Sequence, residues 1–235
     1  MSIYGVFEHL VPTMFQATIL ATAILLAGAM VARKRMAEGG VLPDEGITLR
    51  NIYEALTEYL LGMAESIIGE RARDYLGLIC AMFFFILVSN LMSLIPGIGG
   101  ATSFVETACA WAVISFSIYN YVGIRAHGWK YIYQFMGPSL WEPTIGGKVW
   151  HVRVLAPLFV PLELLLHVAR IVTLTVRLVA NMYADHTVVA VWITLVPIAV
   201  PAIFMALGTL VAFLQAFVFS LLTMIYIGSA LEEAH

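Results

Sequence analysis

Long apolar stretches alternate along the chain with short polar intervals, and their lengths set the scale of the fold. Residues 11 to 32, VPTMFQATILATAILLAGAMVA, are long enough to cross a bilayer once, which takes about 20 residues at about 1.5 Å each. Residues 75 to 95 and 104 to 124 give two more upright crossings, separated by PGIGGATS, a connection without charge. From Leu162 to Val196 there is neither glycine nor proline, so a continuous helix there measures about 52 Å against a hydrocarbon core of about 30 Å. Such a helix must tilt steeply. Pro197 and Pro201 predict a turn, and a second long helix follows, broken only by Gly208 before Gly228.

The interval at 47–73 has a different pattern. Ile52, Leu56, Tyr59, Leu60, Met63 and Ile67 recur at helical spacing opposite Glu54, Glu58 and Glu65. An amphipathic helix lying along the membrane interface is the expectation. Its polar face is acidic, so a partner protein explains it better than attraction to anionic lipid. The pattern therefore predicts an all-α integral membrane fold, one domain over residues 1–235. It has about five membrane helices, at 11–32, 75–95, 104–124, 155–196 and 201–232, plus the interfacial helix at 47–73. The last two spans form a long tilted hairpin.

Composition agrees with this solvent. The chain has 235 residues, 61% of them hydrophobic and 11% charged, and a mean hydropathy of +0.92; a soluble domain is about a quarter charged. A formal charge of -3 gives no reason to expect a nucleic-acid partner. Cys80 and Cys109 stand singly in apolar runs, as packing residues do. The N-terminus lacks a basic stretch, a short apolar core and a small-residue cleavage site, so the first span is expected to be retained.

Basic residues orient the spans. Arg33, Lys34, Arg35, Arg50, Arg71, Arg73, Arg125, Lys130, Lys148 and Arg153, ten of the twelve Lys and Arg, fall on one side of the predicted topology. That side is cytoplasmic by the positive-inside bias, with the N-terminus outside and the C-terminus inside. The other two, Arg170 and Arg177, lie within the membrane segment.

Arg177 is the candidate functional residue, because a guanidinium stays charged in surroundings that cannot hydrate it. At about 100° per residue, Glu163, Arg170, Thr173 and Asn181 fall within about 40° of it on the helix, and Asp185 within about 80°. Glu163 and Arg170, two turns apart, also suit a buried network holding the hairpin together. Asn181 can accept a hydrogen bond from Arg177 but cannot neutralise it. The counter-charge is therefore expected from another chain. His186 falls on the opposite side of an ideal helix. On the last helix Gln215, Gly208 and Tyr226 share a face, and a lone glutamine there reads first as a tie between helices.

Taken together, PLELLLHVARIVTLTV, RLVANMYADH and LQAFVFSLLTMIYI, with SNLMSLIPG at 89–97, GIRAHG at 123–128 and the terminal EE before His235, resemble subunit a of the F-type ATP synthase membrane sector. The resemblance covers nearly the whole chain. It implies a hairpin packed against a rotating ring of subunit c, with Arg177 facing the carboxylate that each ring subunit carries at mid-membrane. It further implies two offset half-channels, the outer using Asn181, His186 and Gln215 and the inner Glu163, with Arg177 preventing a proton short-circuit. Arg170, Thr173 and Tyr226 form a secondary polar stripe. The partners implied are the c-ring, peripheral-stalk subunit b and the rest of the F1Fo complex, in a bacterial inner membrane.

This chain departs from the commoner bacterial pattern. His186 stands where many members carry glutamate, and Gly208 matches their histidine on the last helix. Asp185 is the residue expected to restore the carboxylate, with Gly208 leaving room for water. Ser93 stands where some members carry an aspartate.

Other classes fit less well. A secondary transporter would show repeated halves and lysines or acidic pairs in broken helices, and no lysine here lies in a span. A hydrolase would need GxSxG or HExxH, and neither is present; no cofactor or metal is called for. A pure scaffold leaves Arg177 uncompensated.

Overall fold

The computed structural model describes residues 12–39, 48–95, 98–128, 144–145, 148–149, 156–195 and 199–231. Among the described residues six α-helices carry the fold: α1 Thr13–Gly39, α2 Leu49–Ile68, α3 Ala72–Ser93, α4 Val105–His127, α5 Ala156–Leu195 and α6 Ala199–Leu231. Among the described residues five stretches are long and apolar enough to cross a membrane: Thr13–Lys34, Leu49–Ser93, Val105–His127, Val168–Leu195 and Val200–Leu231. The all-α membrane class holds, with one small addition, an antiparallel pair of two-residue strands at Thr144–Ile145 and Lys148–Val149.

Element boundaries follow local chemistry. Thr48 caps α2 by accepting from the Asn51 N–H at 3.3 Å. Gly69, at φ 79, ends α2 by returning its N–H to the Glu65 carbonyl. A 3-10 turn over Gly69–Arg71 leads into α3, so the 47–73 segment is not one helix and the second crossing starts three residues earlier than the hydropathy suggested. Pro201 lies inside α6 rather than before it. It is tolerated there because the first N–H groups of a helix have no intrahelical acceptor.

α6 is the centre of the bundle, lying against α2, α3, α4 and α5. Close approach depends on small residues: Ala64, Ala108, Ala112, Ala212 and Ala216 are at most 1% exposed. Gly28 admits the Tyr53 hydroxyl, and Gly228 admits the Ile67 carbonyl, which a Cβ would meet at 3.0 Å. The core is filled by Phe83, Met82, Ile86, Leu178, Phe219 and Met224. Ser115 and Thr223 tie α4 to α6 through a buried 2.9 Å hydroxyl pair.

Candidate functional site

The site lies along the α5–α6 hairpin, and α5's inner face decides what reaches it. Leu174, Leu178, Met182 and Val189 are buried, one or two turns apart. Relative to Leu178, Asp185 is rotated by about 20°, Asn181 by about 60° and Arg177 by about 100°. Arg177 is accordingly exposed, on the border of an apolar face carrying Val172 at 52%, Val176 at 55% and Tyr183 at 74% exposure. Among the described residues it makes no hydrogen bond and no ion pair.

The predicted stripe divides into separate parts for the same reason. Asn181 turns inward and donates from Nδ2 to Gln215 Oε1 at 3.1 Å, joining α5 to α6. Arg170 turns towards α4 and α6, its Cζ 3.8 Å from the Tyr226 ring centroid and 5.5 Å from that of Tyr119. Its charge is met by aromatic faces. Thr173 is exposed and bonds the Arg170 carbonyl of its own helix at 3.1 Å. The side chain of Glu163 lies outside the described residues, and with it the proposed Glu163–Arg170 network.

On the two hairpin helices, the buried polar atoms without a partner among the described residues include Gln215 Nε2, Asp185 Oδ2 and His186 Nε2. Gln215 itself is 5% exposed. Buried polar atoms of this kind call for water or a mobile proton carrier. Asp185 faces Gly208: a Cβ there would lie 3.8 Å from Asp185 Oδ2 and 2.6 Å from Leu94 Cδ2. The space left by Gly208 is therefore shared by Asp185 and the tip of Leu94. Ser93 is no relay residue in this arrangement, its hydroxyl lying 2.7 Å from the Asn90 carbonyl and 2.9 Å from Met182 Sδ.

Sequence reasoning did not single out Tyr119, the second aromatic face near Arg170, or the buried Ser89, Asn90 and Thr102. The available signal was polar residues of modest size inside apolar runs, which in membranes mark helix contacts.

Residues 14–228 match the ATP synthase A chain family. The chain belongs to that family. Its members are the non-catalytic, proton-translocating membrane subunit of the synthase. ATP synthase subunit a of Bdellovibrio bacteriovorus is 38% identical over 226 residues, spanning 96% of this chain and 92% of the relative. ATP synthase subunit a 2 of Syntrophotalea carbinolica is 38% identical over 232 residues, 99% of this chain and 89% of its own length. Subunit a of Solibacter usitatus is 36% identical over 218 residues, 92% and 86% respectively. For this family member, five apolar stretches make a multi-pass membrane protein.

Proposed function

We propose that the chain is the stator half of a proton-driven rotary contact, with Arg177 facing the carboxylate of a rotating subunit c ring. The observation that carries this reading is the guanidinium of Arg177, exposed in an outward apolar face of an apolar membrane-length helix and without a partner among the described residues. Charge in that position needs an anion, and an exposed apolar helix face suits an apolar neighbour. Two unit charges about 4 Å apart attract by about 4 kcal/mol at an effective dielectric near 20, enough to lower a carboxyl's pKa by about three. The ring carboxylate is ionised opposite Arg177 and protonated when it faces lipid.

Proton transfer is thereby coupled to rotation. Asn181, Gln215, Asp185 and His186 line the outer half-channel, where the three unpartnered polar atoms would be met by water. Glu163 belongs to the inner half-channel. Arg177, permanently positive, repels a proton and separates the two. Each charge moved across the membrane yields about 2.3 kcal/mol per 100 mV. The positive-inside bias places the N-terminus outside and the C-terminus in the cytoplasm, in a bacterial inner membrane. The acidic face of α2 contacts a partner protein of the complex.

The test is Arg177→Ala in the assembled complex. Proton-driven ATP synthesis should be abolished while assembly with the ring persists. Retained synthesis would refute the role.

A further inference from the structure

Part of the connection between α3 and α4, residues 100–102, is buried. Gly100, Ala101 and Thr102 are buried, the last two at 0% exposure, and the 3-10 turn Ala101–Ser103 packs against α1, α3, α4 and α5. A buried turn must have its backbone groups satisfied. The Thr102 N–H donates to Ser89 Oγ at 2.8 Å, and the N–H groups of Ser103 and Phe104 return to the Gly100 and Ala101 carbonyls at 3.1 and 3.3 Å. Gly100 has no room for a side chain, since a Cβ would collide with the Ser89 carbonyl oxygen and approach Ser93 Cβ to 2.8 Å.

The side chains extend this anchorage across the bundle. Thr102 Oγ1 donates to Asn90 Oδ1 at 2.7 Å and lies 3.1 Å from Ser89 Oγ. Its single proton is committed to Asn90, so the Ser89 hydroxyl is the donor in that second contact. Asn90 Nδ2 in turn donates to the Ala212 carbonyl of α6 at 3.3 Å. Ser93, one turn along α3, reaches Met182 Sδ of α5 at 2.9 Å. Met182 follows Asn181 in sequence, and Ala212 stands one turn before Gln215. The buried turn thus packs against α5 directly and reaches α6 through Asn90 of α3, next to the residues that pair across the hairpin.

We propose that Thr102 and Asn90 are positioning residues for the outer half-channel. The buried turn holds α5 and α6 in the register at which Asn181 donates to Gln215 Oε1, which leaves Gln215 Nε2 free for the proton route. This rests on the outer-route role proposed above for Asn181 and Gln215. Buried hydrogen-bonded networks of this kind rigidify what they join, and losing one member leaves the others unpartnered.

The experiment uses the complete F1Fo complex reconstituted in vesicles. Thr102→Val, of the same shape but without the hydroxyl, should lower proton-driven ATP synthesis about tenfold at unchanged complex content. Thr102→Ser should restore it to within about twofold. Combined with Gln215→Ala, the valine change should add no further loss, because both act through the same pair. Wild-type synthesis in Thr102→Val, failure of the serine variant to rescue, or multiplicative losses in the double variant would each overturn the proposal. Should the valine variant fail to assemble, Ser89→Ala takes its place, with the same double-variant comparison deciding. Arg177→Ala separates the two levels. If it abolishes synthesis while the Thr102 and Gln215 losses multiply, only the positioning role falls; if it retains synthesis, the motor reading falls first.

Discussion

Gly208→Ala is a perturbation whose cost follows from the packing around Gly208. The added Cβ would stand 2.6 Å from Leu94 Cδ2, about an ångström inside ordinary contact, and 3.8 Å from Asp185 Oδ2, which is ordinary contact. Leu94 is 8% exposed but meets the new methyl with the end of a flexible side chain. A rotamer displaced by about 30° costs about 0.5–1.5 kcal/mol. Alanine in place of glycine inside a helix returns about 0.8–1.0 kcal/mol. The two nearly cancel, so the fold should survive and the complex should assemble at normal levels. If the outer half-channel runs past Asp185 as proposed, the displaced Leu94 tip then occupies the space beside Asp185 that a water on that route needs. Losing that water should cost the proton path about 1.4 kcal/mol, a tenfold fall in rate. The assay is proton-driven ATP synthesis in inverted vesicles, normalised to complex content. Leu94→Ala should rescue Gly208→Ala by making room for the displaced atoms. A wild-type rate in Gly208→Ala, or a double variant as slow as the single one, would refute the reasoning.

Asp185→Asn keeps the shape and removes the carboxylate; proton uptake and ATP synthesis measured across pH should both fall, and unchanged activity would remove Asp185 from the outer route. Arg170→Lys loses the planar stack on Tyr226 and should lower the thermal stability of the complex by about 0.5–2 kcal/mol. Tyr226→Phe should be near neutral in the same melt, since it keeps the ring face, whereas a large loss would assign the contact to the hydroxyl. Glu54→Lys with Glu58→Lys should reduce co-purification of the partner protein that α2 contacts; unchanged assembly would place the α2 acidic face elsewhere. Glu54 already pairs with Arg50 at 2.9 Å, so the Glu58 change alone should leave α2 folded.

The all-α membrane class and the long apolar helices were legible in the sequence, because hydropathy and helical period are local properties. A run without glycine or proline from Leu162 to Val196 contains its own instruction to be a long helix, and α5 runs through it to Leu195 after starting at Ala156, ahead of Pro161. An arginine without a carboxylate one turn away is equally visible on a helical projection. The same projection put Arg170, Thr173, Arg177 and Asn181 on one stripe, and there it stopped being informative. An arc of about 80° is wide enough to straddle the edge between buried and exposed, and only the neighbouring helices decide where that edge falls.

Tertiary packing sent Arg170 to the rings of Tyr119 and Tyr226, Asn181 to Gln215, and left Arg177 outside. It also turned an uncharged connection, which hydropathy reads as an outer loop, into a buried turn tied by Thr102, Ser89 and Asn90. The division has one physical cause. Backbone hydrogen bonding and partition into lipid are settled residue by residue along the chain, whereas a side chain's hydrogen bond or ring contact requires a second helix to bring the complementary atoms within about 3 to 4 Å.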